Sequence, residues 1–380
     1  MVDELGYNMD TENLGVYVHI PFCRSKCKYC DFNSYAGVFG KQNDYTRSLV
    51  TEIERTGFMR KVDTIYIGGG TPTAIENMNI IKILKALDEK YVVTRGAEIT
   101  IECNPATIDE EGFRSLRNHG INRVSIGLQS TDDALLKKLG RIHSLDDFEC
   151  CYNSARNAGF ENISFDLMFG LPDQTFEMWR ETLEKAITFG AEHISCYSLK
   201  IEEGTPFYDM DLNLPDDDEN RDMYDLCVDM LEKAGYERYE ISNFAKKGYE
   251  SKHNLKYWKC DDFVGFGAGA FSGRCGYRYS NISDLDEYMD SINARGHATE
   301  YAEKLSKLDQ MSEFMFLGLR KSEGVSFSEF EKRFGVNIDE IFGGVICKNL
   351  MRGTMERNDD RTWIKSDMLY ISNSIMVDFV

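Results

Sequence analysis

The stretch Gly15-Val-Tyr-Val-His-Ile-Pro-Phe-Cys-Arg-Ser-Lys-Cys-Lys-Tyr-Cys30 decides how this chain is to be read. Its apolar start predicts a buried strand. Three cysteines, Cys23, Cys27 and Cys30, follow with the spacing C-x3-C-x2-C. Thiolates are the usual ligands of iron–sulfur clusters, and a cubane normally takes four of them. Three closely spaced thiolates hold three irons and leave the fourth open to a reactant, much as a catalytic metal keeps one position free of protein. The competing reading is zinc, which needs a fourth ligand and usually a second Cys pair. No second C-x2-C occurs, and Cys150 and Cys151 are adjacent without that spacing.

Outward from this motif, 380 residues suffice for one barrel-sized domain and a smaller one. Eleven cysteines without a signal peptide predict a reducing, cytoplasmic setting rather than a disulfide framework. The start Met1-Val-Asp-Glu-Leu-Gly6 is neither basic nor apolar. No run approaches the roughly 18 apolar residues of a membrane span. A net charge of −20 suits neither nucleic acid nor an anionic membrane, and solubility is explanation enough for it.

Residues 1–13 are expected to form a mobile tail. Over 14–245, strand-like segments (Leu14–Phe22, Asp63–Gly68, Glu98–Glu102, Arg123–Leu128, Ile163–Phe169, His193–Leu199) alternate with amphipathic helical ones such as Ile80–Tyr91 and Phe176–Phe189. Six strands, each followed by a helix, predict an α/β fold built as a parallel (β/α)6 part-barrel. Right-handed crossovers then gather all strand C-termini on one rim, where barrel sites form. Tyr236–Phe244 reads as a further strand. Residues 246–304 read as a connecting region, with a glycine-rich loop over 260–276. Residues 305–380 read as a separate module of three helices and a hairpin pairing Arg361–Lys365 with Met368–Ile371. That order resembles a winged helix. The module carries 10 Lys and Arg against 12 Asp and Glu, so packing or a protein partner is a better reading than DNA.

Polar residues mark the ends of successive strands. Gly68-Gly-Gly-Thr-Pro-Thr73 follows the second strand, and glycines there let backbone amides approach a ligand. Glu102 closes Ile99-Thr-Ile-Glu-Cys-Asn-Pro105, and a carboxylate accepts hydrogen bonds from amines or hydroxyls. Gln129 closes Val124-Ser-Ile-Gly-Leu-Gln129. Arg141, in Leu139-Gly-Arg-Ile-His-Ser144, suits a carboxylate. Asp166 lies in Ser164-Phe-Asp-Leu-Met-Phe-Gly-Leu-Pro172. Each alone is as often structural; together they read as one pocket.

The cysteine motif, with Tyr29 just before its third Cys, resembles that of the radical SAM superfamily. The resemblance implies a 4Fe-4S cluster whose open iron takes the amino and carboxylate groups of S-adenosyl-L-methionine (SAM), with one electron releasing a 5′-deoxyadenosyl radical. Tyr17-x-His19-Ile-Pro-Phe-Cys23, Gly68–Thr73, Ser125–Gln129, Gly140–His143 and Asp166–Pro172 are similar to the oxygen-independent coproporphyrinogen III oxidase family over nearly the whole chain. By that similarity Tyr17, Tyr29, Gly69, Gly70, Thr71, Glu102, Gln129, Arg141 and Asp166 form the SAM site. True oxidases carry a further Cys two residues after the third ligand, where Phe32 stands here, and a long extension before the cluster, whereas the first ligand here is residue 23. Cys30-Asp-Phe-Asn-Ser34, Glu240-Ile-Ser-Asn-Phe-Ala-Lys246 and His253-Asn-Leu-Lys-Tyr-Trp258 instead resemble the HemW branch, described as heme chaperones.

Imidazole is a standard axial ligand of heme iron, so His253 is the candidate heme ligand. Its alternative is a histidine hydrogen-bonded beside the barrel. Trp258 is placed to stack on a flat macrocycle. His19 flanks the cluster strand and is a weaker choice; Cys260 is a possible soft ligand. The implied cofactors are the cluster, SAM and heme. The implied partners are a heme-acceptor protein and an electron donor such as flavodoxin or ferredoxin. The rival functions are oxidative decarboxylation of coproporphyrinogen III and regulation through the winged-helix module.

Overall fold

The computed structural model describes residues 13–56 and 60–380, so residues 1–12 of the expected tail lie outside the described residues. Six parallel strands form its centre: β1 (Leu14–Ile20), β2 (Lys61–Gly69), β3 (Val92–Cys103), β4 (Arg123–Gln129), β5 (Ile163–Phe169) and β6 (His193–Ser198). They lie side by side in chain order. Their sequences show why. Side chains alternate across a strand. Val16, Val18, Ile65, Ile67, Ile101, Val124, Ile126, Phe165, Leu167 and Ile194 belong to the main core. The alternate residues, among them Tyr17, Tyr66, Glu102 and Asp166, bond or charge-couple to one another on the other face. The apolar face is covered by helices including α1 (Gln42–Arg55), α2 (Asn77–Lys90), α3 (Glu110–Asn118), α5 (Leu145–Asn157), α6 (Phe176–Phe189) and α7 (Asp217–Lys233), while α4 (Asp133–Leu139) packs Leu135 and Leu139 in a smaller cluster with Met168, Leu171 and Phe207. Most start at a side-chain cap; Ser144 and Asp147 form a capping box on α5.

Among the described residues the sheet runs well past the six strands, to twelve. The Tyr236–Phe244 strand is two short pieces, of which β7 (Asn243–Ala245) pairs antiparallel with β6. The expected connector, 246–304, begins with α8 (Lys252–Trp258). It then adds β8 (Phe263–Phe266), parallel to β1, and the antiparallel β9 (Phe271–Arg274), β10 (Tyr277–Asn281) and β11 (Thr299–Lys304). The expected loop over 260–276 therefore contains two short strands, Phe263–Phe266 and Phe271–Arg274. Glycine density misled there, because glycine marks close backbone approach inside sheets as well as loops. Helix α9 (Leu285–Arg295) packs this extension on α1: Glu52 of α1 accepts from Tyr288 Oη (2.7 Å), Asn281 Nδ2 (2.6 Å) and Gly267 N (2.9 Å).

The C-terminal part has its own core around Met315, Phe330 and Ile346. It comprises α10 (Lys307–Gly318), α11 (Phe327–Phe334), α12 (Ile338–Met351) and a three-stranded sheet of β12 (Val325–Ser326), β13 (Met355–Arg357) and β14 (Arg361–Ile364). The three expected helices are present, and a short fourth one, Ser372–Met376, follows the sheet. The hairpin is β13–β14, not Arg361–Lys365 with Met368–Ile371; the latter lies in a 3-10 turn. Asn358-Asp-Asp360 supplies the turn, since the Asn358 side chain accepts from the amides of Asp360 and Arg361. Among the described residues, no helix is long and apolar enough to cross a membrane.

Candidate functional site

The polypeptide turns out of β1 at Pro21 and carries Cys23, Cys27 and Cys30 over the C-terminal rim of the strands. No disulfide joins them. Burial pushes the Cys23 and Cys30 thiols up, and the neighbouring Cys27 raises both further, so the three lie within electrostatic reach of one another. Among the described residues, no three His, Cys, Asp or Glu side chains converge as a single metal ion requires. A cubane asks for something else, one thiolate at each of three iron corners. The donor set therefore fits the cluster.

A chain of contacts ties this loop to the rim. Cys23 Sγ lies 3.6 Å from Thr71 Oγ1, which accepts from Asn104 Nδ2 at 2.8 Å. Arg141 Nη1 donates to Asn104 Oδ1 at 2.7 Å, and Arg141 Nη2 donates to the Tyr29 hydroxyl at 2.8 Å. Gly127 makes this possible: a Cβ there would stand 2.8 Å from Asn104 Oδ1. Arg141 Nε is buried without a hydrogen-bond partner, and a buried donor left unmet is costly.

Glu102 accepts from Tyr66 Oη at 2.8 Å and from Gly69 N at 3.0 Å. Burial and the Asp166 charge push its pKa up to about 7, against the pull of these donors and of Arg123. Asp166 is also raised by burial, opposed by the Ser195 hydroxyl, Arg123 and Arg141. Gln129 ends β4 with φ at 69°, a left-handed backbone that a non-glycine residue holds only under constraint. Tyr17 hydrogen-bonds His19 Nδ1 at 2.9 Å, and its pKa is raised by burial and by Glu102.

The glycine run behaves differently from expectation. Gly69 N is spent on Glu102, Gly70 N on Ile20 O (2.9 Å) and Thr71 N on Phe22 O (2.8 Å). A Cβ on Gly70 would meet the backbone of Ile20 and Phe22. These glycines let the β2 end pack against the β1 exit, and none of the three amides is available to a ligand.

His253 is also placed differently. It is 1% exposed, with Nδ1 on Thr64 Oγ1 (2.9 Å) and Nε2 on Tyr257 Oη (2.8 Å). Its ring stacks on Tyr66 at 5.3 Å. Burial holds its pKa down at about 3. With both nitrogens engaged, it has no free lone pair to give to heme iron, and the hydrogen-bonded alternative is the one the geometry favours. The Trp258 face is taken by the Arg320 guanidinium, 4.3 Å from the ring centroid. Sequence reasoning missed Asn104, the hub between Thr71 and Arg141, which lies inside the quoted Glu102 segment. It also missed Arg123, 2% exposed with Nε unpartnered, whose charge acts on both Glu102 and Asp166. Its signal was an arginine opening an otherwise apolar strand.

Known proteins resemble this chain over most of its length. Residues 17–186 match the Radical SAM superfamily, and residues 305–365 match the HemN C-terminal domain. Over 373 residues the chain is 36% identical to the heme chaperone HemW of Bacillus subtilis, covering 96% of this chain and 98% of that one. The heme chaperone HemW of Escherichia coli is 39% identical over 262 residues, 68% and 69% of the two chains. The solved structure of Escherichia coli coproporphyrinogen III oxidase (HemN) superposes with a TM-score of 0.87 at 23% identity, over 97% of this chain and 90% of that one, a likeness of fold. Its length-wide identity to HemW proteins places this chain in the HemW family of the radical SAM superfamily.

Proposed function

We propose that this protein is a heme chaperone, binding heme and transferring it to an acceptor protein. The observation that supports this best is the 36% identity to a protein named as a heme chaperone across 96% of the chain. Phe32, standing where true oxidases carry a further Cys, supports it too. Membership of the radical SAM superfamily implies the 4Fe-4S cluster and SAM. In this reading Cys23, Cys27 and Cys30 hold the cluster. Arg141 Nε meets the SAM carboxylate, and Thr71 and Glu102 accept from its amino and hydroxyl groups, with Tyr17, Tyr29, Gln129 and Asp166 around them. Bound together, cluster and SAM supply one-electron chemistry, which calls for a donor of the flavodoxin or ferredoxin type.

The test is anaerobic reconstitution followed by two parallel assays, hemin binding and carbon dioxide release from coproporphyrinogen III with SAM and a reductant. Hemin binding without decarboxylation is expected. Conversion to protoporphyrinogen at enzymatic rates overturns the reading in favour of the oxidase.

A further inference from the structure

Two sulfurs meet behind the cysteine loop. Cys103 ends β3, and Cys151 lies in α5, 48 residues later. Their Sγ atoms stand 3.7 Å apart, both residues are 3% exposed, and neither is in a disulfide. A disulfide joins sulfurs about 2.05 Å apart, so closure asks them to approach by about 1.7 Å. The pair lies just under the surface, since Cys150 beside it and Ala106 three residues beyond it are exposed.

Both residues belong to the main core, where a thiol is ordinarily an inert small hydrophobe. Cys103 has other company. Its Sγ donates to Asn104 O at 3.4 Å and lies 4.0 Å from Thr107 Oγ1, which is itself 2.7 Å from Thr73 Oγ1. Burial opposes ionisation of Cys103, yet the Cys151 thiol and the Thr73 and Thr107 hydroxyls hold its pKa below the ordinary thiol value. The contact with Cys103, and then burial, push Cys151 up. A more acidic thiol touching a less acidic one is the division between an attacking and a resolving cysteine.

The turn that Cys103 opens props the cysteine loop at two places. Asn104 bonds Thr71, which touches Cys23, and Arg141, which holds Tyr29. Ala106 O accepts from Arg24 Nη1 at 2.7 Å, and Arg24 directly follows Cys23. The turn is tight: Thr107 Oγ1 donates to Asn104 O at 2.5 Å, and Ala106 holds φ at 61°, a backbone that few non-glycine residues adopt.

We propose that Cys103 and Cys151 form an oxidative modification site, closing to a disulfide with hydrogen peroxide as oxidant and loosening the turn that supports the SAM site. The Cys103 thiolate attacks the peroxide, whose O–O bond breaks to give a sulfenic acid and hydroxide. The Cys151 sulfur then displaces the sulfenic oxygen, which leaves as water with the Cys151 proton. In all, two thiols are oxidised and one peroxide is reduced to two waters. Closure draws Cys103 Sγ off Asn104 O and the threonine hydroxyls, and Asn104 off Thr71 and Arg141. The effect on SAM rests on the site reading above; the disulfide itself does not.

The test uses the full-length, cluster-loaded protein, kept anaerobic, treated with equimolar hydrogen peroxide and then with catalase. Peptide mass spectrometry without reduction should find Cys103 linked to Cys151, with the exposed Cys150 and Cys347 outside the link. SAM affinity per cluster-loaded chain should fall at least about tenfold in the treated wild type and recover with dithiothreitol. A Cys151→Ser variant treated alike should keep its affinity. A wild type without the Cys103–Cys151 link overturns the site, whatever becomes of SAM. A link that leaves SAM affinity equal to that of Cys151→Ser overturns the coupling to the turn. If Cys151→Ser does not fold, the treated wild type before and after dithiothreitol supplies the same comparison. An untreated wild type that binds no SAM overturns the SAM-site reading and leaves the disulfide to be decided by the mass spectrum.

Discussion

The Tyr66 hydroxyl donates to Glu102 Oε1 at 2.8 Å, and that bond fixes the carboxylate on the rim beside the cysteine loop. Burial places the Glu102 pKa at about 7, so its charge changes near neutrality. The ionised form is the acceptor, and protonation removes that capacity. SAM affinity is therefore expected to fall as pH drops through about 7. Glu102→Gln should flatten this dependence, while Glu102→Ala and Asp166→Ala should each cost about 1.5–3 kcal/mol, roughly ten- to a hundredfold in Kd, with the cluster retained. Equilibrium SAM binding across this pH range checks it; unchanged affinity in both alanine variants places the pocket elsewhere.

Anaerobically prepared protein should contain about four iron and four sulfide per chain. Cys23→Ala, Cys27→Ala or Cys30→Ala should each abolish the charge-transfer absorbance, and Cys150→Ala, on the exposed face of α5, should not. Stoichiometric zinc without sulfide contradicts the cluster.

His253→Ala is expected to act on stability rather than on heme. It strands the Thr64 and Tyr257 hydroxyls, at a cost of about 1–3 kcal/mol in denaturant unfolding. The folded pKa of about 3 lies below the ordinary value of 6.5. The stabilisation from burying the neutral ring is thus full above about 6.5 and is lost as pH falls towards 3. The hemin Soret band should stay where it is in the wild type; a shift with unchanged stability restores axial ligation.

Glu52 gives the opposite sign. Burial raises its pKa to about 7, although Tyr288, Gly267 and Asn281 all donate to it. Its contribution is greatest below about 4.5 and is lost as pH rises through 7. The stability of the wild type relative to Glu52→Gln should therefore decline across that window by roughly 3 kcal/mol. Parallel denaturant titrations at the two ends measure it, and a pH-independent difference rejects the assignment.

What the chain determined by itself is what local pattern carries. The cysteine spacing lies within eight residues, and each βα repeat is written in its own periodicity, so the six strands, their order and the helical C-terminal part were legible. Tyr29, Thr71, Glu102, Gln129, Arg141 and Asp166 were legible as strand-end or motif residues, because parallel connectivity puts such ends on one rim. Partners distant in sequence were not. Asn104 meets Thr71 33 residues away, and His253 meets Thr64 189 residues away. Only the fold reveals that the Gly69–Thr71 amides are spent, that His253 has no free nitrogen and that Cys103 meets Cys151. The physical reason is that a hydrogen bond or a pair of facing sulfurs is a relation between segments, set when α8 packs on β2 and when α5 brings Cys151 to Cys103.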